Sequence, residues 1–105
     1  MIKQAIIPLA GLGTRLLPLT SVFAKELLPI NGKPGIEYIL DECIESGIKE
    51  IIFIISKKKE MIKRYFYNDQ FYKKIIKKKN DVRILKEYIK IKKYKKIIKF
   101  VYQNN

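Results

Sequence analysis

The sequence predicts an α/β fold, a partial doubly wound layer of parallel strands built in three layers, and three observations predict it. Two apolar runs, residues 2–9 and 50–56, flank an amphipathic helical stripe at the spacing of a strand–helix–strand crossover. All five Gly and all four Pro lie at or before Gly47, so turn punctuation is confined to the first half. The length of 105 residues suits one domain.

Residues 2–9 stop at a Gly-bearing loop and read as a strand buried on both faces, with Pro8 marking its end. The loop occupies residues 10–17. Residues 27–30 form a short extended piece before the turn Asn31-Gly32-Lys33-Pro34. Ile36, Ile39, Leu40, Cys43 and Ile44 then recur at i, i+3, i+4, i+7 and i+8, the stripe of a helix that Gly47 terminates. Residues 50–56 are a β-branched run that reads as a central parallel strand and completes a βαβ region over residues 1–56. A Lys-rich helical region follows over residues 57–95. Its apolar stripes are Phe71, Tyr72, Ile75 and Ile76, then Val82, Leu85 and Ile89, with lysines facing out. A terminal strand falls within residues 96–105.

Glu37, Asp41 and Glu45 lie opposite the apolar stripe and read as a solvated face rather than an acid–base pair. Cys43 lies inside the stripe and reads as buried filler rather than a nucleophile.

Missing residue types exclude whole mechanisms. With no His and one Cys, the chain holds no structural zinc site, no Ser-His-Asp triad, no Cys-His dyad and no internal disulfide. No apolar run is long enough to span a bilayer, no signal peptide is read, and a lone thiol points to the cytoplasm. The net charge of +13 is unevenly spread. Residues 1–56 carry five basic and six acidic side chains, and residues 57–105 carry 18 and four.

The informative loop is Pro8-Leu9-Ala10-Gly11-Leu12-Gly13-Thr14-Arg15-Leu16-Leu17-Pro18. Two glycines let backbone N–H groups converge on an anion, Thr14 adds a hydroxyl, and Arg15 adds a planar charged fork. Such a nest at the carboxyl end of a buried strand suits a triphosphate. A dinucleotide fingerprint fails here, because position 16 is Leu, Pro18 interrupts the helix, and Ser56 and Lys57 stand where an acidic residue is needed. A Walker loop fails for want of Gly-Lys-Ser/Thr. A structural turn with an incidental Arg remains open from the loop alone.

The longer constellation adds Thr20, Lys25-Glu26-Leu27-Leu28-Pro29-Ile30 and Lys33-Pro34, and it resembles the signature of the sugar-phosphate nucleotidylyltransferases. Ala-Gly-Leu-Gly-Thr-Arg and Lys-Glu make it more similar to the uridylyl-transferring members than to the thymidylyl ones. The resemblance implies a Rossmann-like nucleotide-diphospho-sugar transferase fold and a reaction of UTP with glucose 1-phosphate that yields UDP-glucose and pyrophosphate. By resemblance, Ala10, Gly11, Leu12, Gly13 and Thr14 wrap the nucleotide and Arg15 grips the triphosphate. Lys25 bridges the α-phosphate and the sugar phosphate, with Glu26 beside it near the base. Val101-Tyr102-Gln103 resembles the family's Val-Arg-Gln, which makes Gln103 a partner for the uracil edge.

Two local departures stand out. Ser21 removes a positive charge from the phosphate approach, and Ala24 replaces a rigid Pro just before Lys25, freeing φ there. Family members are also much longer, so the chain is expected to be a truncated, N-terminal part. Mg²⁺ is expected from the family, with its usual ligands downstream of Asn105 and none assigned in this chain. A homo-oligomer or a separately encoded C-terminal piece is then an expected partner.

Two other classes compete. Lys interleaved with Tyr65, Tyr67, Tyr72, Tyr88, Tyr94 and Tyr102 describes a small basic nucleic-acid-binding module, but recognised motifs are absent and Arg is scarce, so nucleic acid is not the expected partner. A non-catalytic homologue or subunit that keeps the fold is the other.

Overall fold

The computed structural model describes residues 3–9, 17 and 23–103. In chain order the elements are β1 (Gln4–Pro8), a 3-10 turn Lys25–Leu27, short strands β2 (Pro29–Ile30) and β3 (Lys33–Pro34), α1 (Gly35–Glu45), β4 (Glu50–Ile55), a 3-10 turn Lys57–Lys59, α2 (Glu60–Phe66), α3 (Asp69–Lys78), α4 (Val82–Ile97) and β5 (Ile98–Tyr102). The main sheet has the order β1-β4-β5 and is parallel throughout, as the βαβ reading requires.

Register decides which side chains are dry. Ile7, Phe53 and Phe100 lie side by side across the sheet, as do Ile6, Ile52 and Lys99 on the opposite face. Ile51, Phe53 and Ile55 of β4 are buried against Ile36 and Leu40 of α1, Ile62 and Phe66 of α2, and Ile91 and Tyr94 of α4. Both crossovers advance the same way across the sheet, and right-handed connections then put every helix on one face. The described residues therefore build two of the three expected layers. Strand β1 is buried on one face instead of two: Ile7 faces the core, whereas Ile6 is 60% exposed because no described element covers its side of the sheet.

Helix α1 ends as its Gly predicts. Gly47 takes φ 86°, its N–H donates to the Ile44 carbonyl, and the Ile48 N–H donates to the Cys43 carbonyl. This left-handed cap satisfies two of the last carbonyls of the helix. The hairpin of β2 and β3 turns at Asn31 and Gly32, with φ of 53° and 78°, the pair of positive values that a two-residue turn between twisted strands needs.

The acidic face of α1 is a correction. Glu45 is exposed, but Glu37 is 0% exposed, and Asp41 is only partly open. The Tyr65 hydroxyl donates to Glu37 Oε2, and Lys90 Nζ lies 3.2 Å from Oε1 as an ion pair without hydrogen-bond alignment. Asp41 accepts from Lys33 and, at 2.6 Å, from the Tyr94 hydroxyl. These partners arrive from α2, α4 and β3, so the period of α1 alone gives no sign of them. Cys43 is half-buried, and burial, reinforced by Glu42, pushes its thiol pKa up, which suits filler.

In α4 the inward face also differs from the expected stripe. Val82, Leu85 and Ile89 are exposed, whereas Tyr88, Ile91 and Tyr94 are buried. Ile occurs on both faces of this helix, and the larger tyrosine rings fill the space beside Phe66 and Tyr72 that an Ile row would leave open. Phe71 of α3 likewise faces out.

Phe53→Ala removes the ring at the centre of this core and is expected to cost about 3–5 kcal/mol in urea unfolding. Burial works against the charge of Asp41, but hydrogen bonds from Lys33 and Tyr94 outweigh it and hold its carboxyl below the usual range. A lowered folded value stabilises the protein fully above the unfolded Asp value, about 3.9, and that contribution is lost as pH falls through the folded value. Asp41→Asn is therefore expected to be less stable than the parent chain at neutral pH and to converge with it in acid, as read from urea melts across the acid range.

Candidate functional site

Parallel pairing brings the three carboxyl ends of the sheet to one edge. The Leu9 N–H donates to the Ile54 carbonyl at 2.9 Å and the Gln103 N–H to the Ile55 carbonyl at 2.7 Å, so both neighbours follow β4 one residue past their strands. Leu9 leads into the loop that carries Ala10, Gly11, Leu12, Gly13, Thr14 and Arg15, all of which lie outside the described residues. Gln103 is exposed at the far side of the edge, and Tyr102 before it donates to Glu60 at 3.3 Å under the Lys63 ammonium.

Lys25 and Glu26 sit on the first 3-10 turn. The Leu27 N–H donates to the Ala24 carbonyl at 3.0 Å and the Leu28 N–H to the Lys25 carbonyl at 3.1 Å. Ala24 is buried with φ −67°, close to the value a Pro ring imposes. Its N–H, which Pro would lack, points at Met61 Sδ 3.0 Å away. Lys25 is exposed.

Glu26 turns the other way. Lys59 Nζ donates to its Oε1 at 2.9 Å and its Oε2 at 2.7 Å, and the two side chains are only 8% and 9% exposed. Lys59 belongs to the 3-10 turn directly after β4, so the pair joins the signature segment to the end of the central strand. Sequence reasoning missed Lys59, because it stands in the run Lys57-Lys58-Lys59, where nothing in composition separates it from its neighbours.

The structure thus places Lys25, Glu26 and Gln103 on segments that meet the carboxyl edge, with the Glu26 carboxylate taken by Lys59. Among the described residues no three Asp, Glu, Cys or His side chains converge, and Glu26 has both oxygens engaged by Lys59. No described helix is long and apolar enough to cross a membrane.

Most tyrosines of the basic half are used internally, while Tyr67 and Tyr102 are exposed. Tyr65 and Tyr94 bond the α1 carboxylates, Tyr72 stacks on Tyr88 with ring centroids 5.1 Å apart, and lysines lie over the rings of Tyr67, Tyr88 and Tyr102. Burial, then the bonds to Glu37 and Asp41, pushes the hydroxyls of Tyr65 and Tyr94 above their ordinary range. Few rings are left as stacking platforms for bases.

Comparison with known proteins bears on the fold and the family. A UTP–glucose-1-phosphate uridylyltransferase of Mycoplasma pneumoniae is 56% identical over 68 residues, which are 65% of this chain and 23% of that protein. A UDP-glucose pyrophosphorylase from Acinetobacter baumannii superposes with a TM-score of 0.79 at 34% identity, covering 97% of this chain and 35% of that one. A UTP-bound UGPase from Acinetobacter baumannii gives 0.75 at 31% identity, covering 100% and 37%. The chain spans about a quarter to a third of the length of the curated relatives it matches. The nucleotidyl transferase family model matches residues 4–93, from β1 well into α4, and the chain belongs to that family.

Proposed function

We propose that this chain forms the nucleotide-binding part of a uridylyltransferase site that converts UTP and glucose 1-phosphate to UDP-glucose and pyrophosphate. The observation that carries the reading is the exposed Lys25 on a turn that the Glu26–Lys59 pair ties to the segment following β4. Open α/β sheets bind ligands at the carboxyl edge, where strand order reverses. Both crossovers among the described strands run one way, and β1, the strand that feeds the glycine loop, lies at the end of the order β1-β4-β5.

Nucleotidyl transfer needs positioning and charge neutralisation more than covalent help, so a chain without His is equipped for it. In this reading the loop amides of residues 10–14 hold the nucleotide, Arg15 neutralises the β- and γ-phosphates that leave, and Lys25 draws the α-phosphate and the sugar phosphate together. The sugar phosphate oxygen attacks the α-phosphorus in line. Gln103 offers a donor and an acceptor to the uracil edge. A cytoplasmic setting suits these substrates.

A second reading concerns completeness. The sheet face carrying Ile6, Ile52, Ile54 and Val101 has no described layer on it, and Ile6 and Val101 are largely exposed. Further nucleotidyl transferase polypeptide packed there completes the catalytic site, and the chain by itself binds nucleotide without turning over.

Titration of the 105-residue chain with UTP in magnesium buffer, beside an assay for UDP-glucose, separates these readings. Saturable UTP binding is expected, and its absence sinks the nucleotide site; full turnover sinks the second reading. Arg15→Ala and Lys25→Ala are each expected to weaken UTP binding by roughly 1.5–3 kcal/mol, the value of a charge-assisted hydrogen bond. Lys25→Ala is expected to leave the urea midpoint within about 0.5 kcal/mol of the parent chain, because the side chain is exposed.

A further inference from the structure

Of twenty lysines in the chain, Lys59 is the one buried among the described residues. A buried ammonium is costly unless it is paired, and here it is paired twice, to both oxygens of a carboxylate that is itself buried. That carboxylate belongs to the residue next to Lys25.

We propose that Lys59 is a positioning residue of the nucleotide site: by holding the Glu26 carboxylate it fixes the turn that carries Lys25 to the edge of the sheet. The inference rests on the nucleotide-site reading and adds a residue to it. The turn Lys25–Leu27 is too short to keep its shape alone, with two backbone bonds closing it. Part of its anchorage comes from the segment after β4, through Lys59 to Glu26 and through Met61 to the Ala24 N–H, and the rest from the Gly35 N–H bond to the Leu28 carbonyl and the packing of Ala24 and Leu27 on the core. Lys59 is in turn held by its own N–H, which donates to the Ser56 carbonyl at 3.0 Å one residue beyond the buried strand. The polar line of restraint thus runs from the core, through one ion pair, to the residue next to Lys25.

Charge gives the pair a second effect. Glu26 would otherwise present a bare carboxylate beside a lysine meant for phosphate, competing for that ammonium and repelling the triphosphate. With both oxygens bonded to Lys59, the carboxylate charge is compensated by the Lys59 ammonium. Lys59 spends two of its three N–H donors on Glu26 and its side chain is only 8% exposed, so positioning fits the geometry better than contact.

Amide hydrogen exchange reads the turn through the Leu27 and Leu28 N–H groups, with the amides of β4 as internal reference. Lys59→Met is expected to raise exchange at Leu27 and Leu28 about tenfold with β4 unchanged, as local opening does. Glu26→Gln, the reciprocal change, is expected to open the same two amides, and Lys59→Arg to restore them, because a guanidinium also bonds both oxygens. UTP titration of the same variants is expected to show affinity about tenfold weaker in Lys59→Met, roughly the value of one charge-assisted bond, and recovered in Lys59→Arg. Unchanged protection at Leu27 and Leu28 overturns the proposal. So does protection lost equally from β4, which assigns Lys59 to general stability, and so does unchanged UTP affinity in a variant whose turn has opened. A parent chain that does not bind UTP removes the nucleotide reading instead, and the exchange measurement then decides by itself whether Lys59 places Lys25.

Discussion

Strand β4 is the constraint from which the rest follows. It pairs with β1 on one side and β5 on the other, both in parallel, and its inward residues Ile51, Phe53 and Ile55 are almost fully dry. A strand satisfied on both sides has no freedom to slip, since a shift of one residue would turn Phe53 out and Ile52 in. Its fixed register carries Leu9 and Gln103 to the same edge as Ser56, although these residues are far apart in sequence. The candidate site is thus assembled by backbone pairing before any of its side chains touch.

The packing of α1 adds a second, polar constraint. Glu37 is a carboxylate with no access to water, tolerated because a hydroxyl from α2 and an ammonium from α4 converge on it. Asp41, one turn on, does the same with Tyr94 and with Lys33 of the hairpin. The Tyr38 hydroxyl then donates to the Ile30 carbonyl at 2.7 Å, so the hairpin is held to α1 from both of its strands. Since the hairpin follows directly on the turn that carries Lys25, helix packing and site geometry are mechanically joined. Such a network can select one arrangement of α1, α2 and α4, because Glu37 takes its hydroxyl from α2 and its counter-charge from α4, and Asp41 takes its hydroxyl from α4.

The backbone plan was legible wherever the chain uses turn chemistry or a strong period. The β-branched run of β4, the stripe and Gly47 stop of α1, and the Asn31-Gly32 turn all state local preferences that the fold keeps. What could not be read is which member of a repeated residue type goes inside. Lys59 differs from Lys57 and Lys58 only by position on a turn, and Tyr88, Ile91 and Tyr94 compete with Val82, Leu85 and Ile89 on a helix where Ile and Lys alternate around the axis. Glu37 is hidden for the same reason: its burial depends on Tyr65 and Lys90, which approach from α2 and α4. Of the candidate site, the motif positions Lys25, Glu26 and Gln103 were legible as a set, but not that Glu26 faces a buried lysine.

The lopsided charge takes on a different meaning once the halves are seen packed together. Glu26, Glu37 and Glu50 of the slightly acidic half pair with Lys59, Lys90 and Lys99 of the basic half. These pairs are not equal. Lys99 is largely exposed, so its pair with Glu50 is screened by water and salt and contributes little. Lys90 is half in solvent, although its partner is not. Only Lys59 and Glu26 are dry on both sides, where an unpaired charge carries a heavy penalty and the geometry of the pair is correspondingly stiff. Most of the positive charge therefore coats the helices, and Lys59 is singled out by burial rather than by its place in the run.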